Sequence, residues 1–181
     1  DFLATGKNEA PQDVTLAGRR YRVYGSILRG SDNRLGVLYL SDLTEMYQIR
    51  DEYIRSRPVV AIILIDNYEE MTQNLTESAI SKLNANLNDT ITQWTEEYRG
   101  LLRRLERNRF LFIFEKRDLD RAKADKFSLL EKIHKIQSPS GLAASISIGL
   151  GVDGADFEEG YSFAALSIEM ALSRGGDQAV I

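Results

Sequence analysis

Arg103, Arg104, Arg107 and Arg109 crowd the segment Leu101 to Glu115, where two apolar runs are joined by the turn Arg104-Leu105-Glu106-Arg107-Asn108-Arg109-Phe110. A guanidinium presents a planar fork of donors that matches phosphate oxygens, so the cluster is suited to receiving the phosphate groups of a nucleotide. Charged turns are also commonly just solvated, and Glu96, Glu97 and Glu106 lie near in sequence to balance these. Asp66 is the second chemical candidate. It follows the apolar run Val59 to Ile65, where a carboxylate can either help to hold Mg²⁺ or accept backbone N–H groups of the next loop or helix. His134, between Ile133 and Lys135, reads as a boundary or surface residue and not as a ligand. Gly149 and Gly151 flank a strand end with no phosphate-loop pattern after them.

The elements that must position these residues follow from periodicity. Val59 to Ile65 is a β-branched run suited to a central strand buried on both faces. Ile80, Leu83, Leu87, Ile91, Trp94 and Tyr98 repeat at helical spacing, which makes Trp94 and Tyr98 core residues. The hairpin comes next, then an amphipathic helix marked by Leu119, Ala122, Phe127, Leu130 and Ile133. Strand Ala143 to Gly149, helix Tyr161 to Ser173 and strand Gln178 to Ile181 complete the series. This order predicts an α+β sandwich with one sheet covered on one side. Upstream, Val14 to Leu40 alternates through turns at Ala17-Gly18-Arg19 and Ser31-Asp32-Asn33, predicting three antiparallel strands. Asp42 and Glu45 have capping-box spacing, and Leu43, Met46, Tyr47, Tyr53 and Ile54 form one stripe of the helix that follows.

Composition narrows the chemistry. The 181 residues are 43% apolar, enough for a sizeable core. A net charge of −4 argues against a nucleic-acid binder, which would show a broad basic face. With no cysteine and one histidine, disulfides, thiolate metal sites and ordinary zinc chemistry are excluded. No apolar run reaches the roughly 18 residues of a membrane span.

The element order, the acid after the first strand, the turn in the hairpin and Ser145-Ile146-Ser147-Ile148-Gly149 together resemble a diguanylate cyclase domain over residues 58 to 181. The resemblance implies a diguanylate/adenylyl cyclase-like fold, a ferredoxin-like palm. Its motif is degenerate. Where that family carries Arg-Tyr-Gly-Gly-Asp-Glu-Phe, this chain has Glu106 and Arg107 for the glycines, Asn108 for the metal-binding acid, then Arg109 and Phe110. In the same register the family's first metal aspartate falls on Leu64 and its second aspartate on Asp66. The guanine-reading pair falls on Thr72 and Ser81, the product-inhibition pair on Glu97 and Gly100, and the phosphate-binding lysine on Ser173 beside Arg174. Cyclase activity is therefore not expected.

Gly18-Arg19-Arg20-Tyr21, Gly36 to Tyr39 and Ser41-Asp42-Leu43-Thr44-Glu45 resemble the last strands and exit of a PAS sensor domain. The expected organisation is a partial PAS antiparallel sheet over 1–41, a linker helix over 42–57 and a degenerate cyclase (GGDEF) domain over 58–181. The tail Met170-Ala171-Leu172-Ser173-Arg174-Gly175-Gly176-Asp177-Gln178-Ala179-Val180 narrows this further. The whole resembles the middle of membrane-bound cyclic-di-AMP phosphodiesterases of Gram-positive bacteria, the GdpP type. That resemblance implies a parent in the cell membrane with this region facing the cytoplasm, and a PAS domain that can hold haem. It also implies a separate DHH/DHHA1 phosphodiesterase domain holding two Mn²⁺ ions, which one histidine cannot build here. Two readings follow for this region. In one it is a regulatory module that forms a homodimer through the linker helix. In the other it is a weak ATPase in which Asp66 and Arg104, Arg107, Arg109 and Arg174 bind Mg²⁺ and ATP.

Overall fold

A computed structural model describes residues 2–29 and 34–181, so the turn expected at Ser31-Asp32-Asn33 lies outside the described residues. The chain forms two compact units, Asp1–Ile54 and Arg55–Ile181.

In the first unit β1 (Val14–Leu16), β2 (Arg19–Arg29) and β3 (Arg34–Asp42) form an antiparallel sheet in that order. Leu16 pairs with Arg19, leaving a two-residue loop of Ala17 and Gly18 at φ 48° and 76°. Positive φ at both positions is what a tight hairpin between twisted strands requires. Tyr24 and Tyr39 face each other across β2 and β3, their rings stacked 5.2 Å apart. Asp42 accepts from the N–H and hydroxyl of Thr44 at 3.0 and 2.6 Å and opens α1 (Thr44–Ser56), so the cap is made through Thr44. Helix α1 buries no residue. The stripe predicted for it is corrected in one respect: Tyr47 turns toward the sheet, its hydroxyl donating to Asp13 at 2.5 Å under the Arg20 guanidinium. Met46, Ile49 and Tyr53 form the exposed line, at 50%, 63% and 67% exposure.

The second unit is a five-stranded sheet. Its elements are β4 (Pro58–Ile65), α2 (Tyr68–Thr72), α3 (Glu77–Glu96), β5 (Gly100–Arg104), β6 (Arg109–Glu115), α4 (Lys116–Ala124), α5 (Leu129–His134), β7 (Ile146–Gly151), α6 (Phe157–Ser173) and β8 (Ala179–Val180). The strand order is β5-β6-β4-β7-β8, antiparallel except for β7 with β8. Strand β4 lies at the centre and is buried from Val59 onward, as its β-branched run predicts. Its odd-numbered residues enter the main core with Phe110, Phe112 and Phe114 of β6, Ile146, Ile148 and Leu150 of β7, and the apolar faces of α3, α4 and α5. Trp94 and Tyr98 are in this core at 2% and 6% exposure.

Three expectations are corrected. The amphipathic segment after the hairpin is two helices, because Lys126 and Phe127 adopt φ 53° and 50° and interrupt α4 from α5. The strand expected from Ala143 begins at Ile146, with Ala143 held only by a bridge to Gln137. The sheet is also covered on its second face, where α6 packs Ala164 and Ile168 on Val60, Ile62 and Leu64. Glycines permit that approach. A Cβ built on Gly149 would stand 2.7 Å from the Ile168 backbone N, and one on Gly151 2.9 Å from the Ala164 N. The two residues that fit no phosphate loop thus serve helix packing.

Candidate functional site

The pleat divides the arginine cluster. Arg104 pairs with Phe110 and shares the main-core face of the sheet, whereas Arg103 pairs with Leu111, and Arg109 pairs with Leu64 on the opposite face. Arg107 lies at the turn between the strands. Arg104 is already engaged: its Nε donates to the Glu106 carbonyl at 3.1 Å, its Nη2 donates to the Arg107 carbonyl, and its guanidinium lies over the Phe110 ring. The Leu105 and Glu106 N–H groups donate to the Arg109 carbonyl, and the Asn108 carbonyl accepts from Ile65 N–H at 2.8 Å. No residue of the turn has positive φ, so Glu106, Arg107 and Asn108 sit there without glycine's freedom.

On the α3 side, Arg104 and Arg107 line a cleft of about 480 Å³ with Tyr68, Glu77, Ile80, Ser81 and Asn84. Ser81 is where the cyclase register puts one base-reading residue. The other position, Thr72, does not line the cleft, and its hydroxyl is spent on the Tyr68 carbonyl at 2.9 Å. Asn84 was not singled out by the sequence pattern, although it follows Ile80 by one helical turn. Its Oδ1 is buried with no hydrogen-bond partner. An amide here offers a donor and an acceptor edge to a polar ring system, and the two arginines offer cationic donors at one end.

Asp66 points elsewhere. Its Oδ2 accepts the Asp177 N–H at 2.9 Å, while its Oδ1 is buried without a partner. The Ser147 hydroxyl leans toward the same carboxylate but completes no hydrogen bond. Burial holds the Asp66 carboxyl above the usual carboxylate range, against the opposing pull of the Asp177 N–H. The tail explains this arrangement. Gly175, Gly176 and Asp177 adopt φ 99°, 75° and 54° in succession, and a Cβ on Gly176 would stand 2.8 Å from Asp66 Oδ2. Gln178 Nε2 ties the turn to the Ala171 and Gly176 carbonyls. The Asp177 carboxylate in turn meets His134 Nε2 at 2.7 Å, a partner the sequence did not disclose. Arg174 caps α6 and is exposed. The predicted site residues therefore fall in three places: Arg104 and Arg107 in the cleft, Arg109 on the opposite sheet face, and Asp66 and Arg174 at the tail.

The donor set does not fit the divalent metal of an active cyclase. Leu64 is 7% exposed and packs with Ile62 and Ile168, and Asn108 uses its carbonyl to join β4 to the hairpin. Asp66 alone supplies one carboxylate that already holds a backbone N–H, and Mg²⁺ prefers an octahedron of oxygens. Among the described residues no group of three or more His, Cys, Asp or Glu side chains is placed to hold a metal.

Comparison with known proteins adds a family to this geometry. A family model described as the GGDEF domain of cyclic-di-AMP phosphodiesterase GdpP-like proteins matches residues 63–181. The chain is 35% identical over 170 residues to cyclic-di-AMP phosphodiesterase GdpP of Bacillus subtilis, covering 94% of this chain and 25% of that protein. It is 31% identical over 174 residues to cyclic-di-AMP phosphodiesterase PdeA of Listeria monocytogenes, covering 96% and 26%. The chain thus spans about a quarter of the length of these relatives. Among solved structures, the active GGEEF domain of a diguanylate cyclase from Vibrio cholerae aligns with a TM-score of 0.59 at 14% identity, over 75% of this chain and 89% of that one. The FimX GGDEF domain from Pseudomonas aeruginosa gives 0.59 at 20%, over 75% and 90%. At these identities the likeness establishes the fold.

Proposed function

This chain belongs to the family of GGDEF domains of GdpP-like cyclic-di-AMP phosphodiesterases, and from that membership we propose that it is a regulatory region without cyclase chemistry. It serves a parent whose hydrolysis of cyclic-di-AMP takes place in a different domain. The observation that carries this reading is the fate of the two metal positions: Leu64 is part of the apolar packing under α6, and Asn108 is structural in the turn. A cyclase must hold metal against two triphosphates, and neither residue can supply a carboxylate. The first unit, with its PAS-like strands, and the exposed line Met46, Ile49 and Tyr53 on α1 support a relay in which two copies pair through that helix. A membrane-bound parent is part of this reading through the family resemblance alone, and no helix of the described residues is long and apolar enough to cross a membrane.

A second reading is favoured by the cleft between α3 and the hairpin. Arg104 and Arg107 at one end, and the Asn84 amide within, suit a nucleotide with its phosphates toward the turn. No catalytic step through metal is derived for it. The test is titration calorimetry of the full chain with ATP and GTP, with and without Mg²⁺, alongside an assay for cyclic dinucleotide from GTP. Saturable nucleotide binding is expected, reduced about tenfold or more in Arg107→Ala through loss of a charge-assisted contact and unchanged in Asp66→Ala. Any cyclic dinucleotide formed from GTP would overturn the regulatory reading. Absence of heat would overturn the nucleotide reading alone.

A further inference from the structure

We propose that the half-bare outer face of the second unit's sheet is closed by helix α6 of a second copy of this chain. Helix α6 packs over β7 and β4 and reaches β6 only at the margin, where Leu111 joins the outer cluster, so that β5 beyond it carries an exposed Leu101. By register, Leu101, Leu111 and Ile113 share that face with Val60 and Ile62. Leu101 is 65% exposed, and Leu111 and Ile113 are half-buried. A sheet that is buried on one face and lined with leucine and isoleucine on the other is the pattern of a strand pair awaiting a layer.

The chain itself carries a layer of the right kind. With Gly160, Ala164 and Ala171 turned to the sheet, the helical repeat of about 100° per residue turns Leu166 and Glu169 away from it. Leu166 is 56% exposed. The flank with Tyr161, Ala165 and Leu172 borders the bare strands, since Ala165 joins Leu111 at the margin of the outer cluster. If two copies face each other about a two-fold axis, each α6 enters the vacant half of the other sheet. The two Tyr161-Ala165-Leu172 flanks then meet side by side, and each Leu166 reaches the other copy's Leu101 and Leu111. The result is two sheets enclosing one layer of two helices, and because the contact is isologous every interaction is made twice.

Charge selects this occupant over a generic apolar one. Arg103 and Arg109 stand on the bare face, and Glu158 and Glu169 stand on the outer side of α6. None of the four has an ion pair among the described residues, and Arg109 Nε is buried without any hydrogen-bond partner. Laying α6 on the facing sheet brings the acidic set to the basic set, which fixes orientation as well as attraction.

This contact is distinct from pairing through α1, and the test removes that pairing. The chain has no cysteine, so single cysteines report contacts cleanly. In an Ile49→Glu background, the full chain carrying Leu101→Cys is mixed with the full chain carrying Leu166→Cys and oxidised. The mixture is expected to give a disulfide dimer several-fold in excess of either variant alone. Arg103→Glu should weaken its formation about tenfold and the exchange Arg103→Glu with Glu169→Arg restore it. A mixture that cross-links no better than its components, or a charge exchange that fails to restore, would overturn the proposal. Cross-linking of Ile49→Cys in the otherwise native chain reads the α1 pairing separately.

Discussion

Asp66 holds the Asp177 N–H with one carboxylate oxygen while the other is buried with no hydrogen-bond partner, and this asymmetry has a consequence for stability. Because burial raises its folded pKa above the ordinary 3.8, the folded state keeps a proton over a range where the unfolded chain has lost it. The contribution is present in full below the unfolded value and is lost as pH rises through the folded value. Ionised Asp66 therefore costs stability at neutral pH. Asp66→Asn keeps an acceptor for the Asp177 N–H and turns the stranded position into a donor that can reach the Ser147 hydroxyl. It is expected to raise the denaturant midpoint at pH 7 and to remove part of the fall in stability as pH rises above the ordinary carboxylate range. Asp66→Ala leaves the Asp177 N–H unanswered and should cost about 1–3 kcal/mol. A lower midpoint for the asparagine variant at pH 7 would show that the carboxylate charge is used, as by a bound cation. At this scale the sequence was partly legible. The acid's place after the central strand was plain, and so was the alternative of holding backbone amides. That the amide would come from Asp177, far along the chain, was not visible in any local spacing. The arginines were legible as charges but not as a site, since a one-residue step in a strand sends neighbours to opposite faces.

Gly149 and Gly151 on β7 and Gly160 on α6 form a helix-to-sheet seam in which each glycine carries a different load. A Cβ on Gly151 would meet the Gly160 carbonyl carbon at 2.8 Å and the Ala164 N at 2.9 Å, both backbone atoms that move only if α6 moves. A Cβ on Gly160 would meet the Val60 side chain, its Cγ2 at 3.1 Å and its Cβ at 3.7 Å. Gly151→Ala should destabilise the second unit by about 1–3 kcal/mol through overpacking. Gly160→Ala should stay within about 1 kcal/mol of the parent, because the gain in helix propensity offsets the tight side-chain contact. Urea unfolding of both variants checks the contrast, and equal effects would mean that α6 is not seated as described. Periodicity announced β4, α3 and the hairpin because each has an unbroken apolar pattern. It failed between α4 and α5, where the apolar positions run on through Phe127 although Lys126 and Phe127 reverse the backbone without a glycine to mark it. It also missed the second coverage of the sheet, because the signal for α6 docking was the absence of side chains on β7.

The two units differ in what holds them. Every buried apolar residue of the described chain from Val59 to Val180 belongs to the second unit, whereas the strands of the first leave Leu28, Leu35, Leu38 and Tyr39 more than half exposed. A three-stranded sheet covered only locally, by Leu3 over Gly25 and by Tyr47, gains little burial to offset the entropy of ordering it. Its stability rests on strand pairing, the Tyr24–Tyr39 stack and the Asp13 links to Arg22 and Tyr47. Residues 55–181 alone should therefore unfold cooperatively with a free energy within about 0.5 kcal/mol of the full chain, the usual scale of changes outside a core. Trp94, the single tryptophan, is buried in the second unit and reports only on it. Amide exchange in the full chain should be fast through β1 to β3 and slow through β4, β6 and β7. A loss of several kcal/mol on removing residues 1–54 would mean that the units share their stability. Such independence would suit the proposed relay, in which a signal received by the first unit leaves the fold of the second intact.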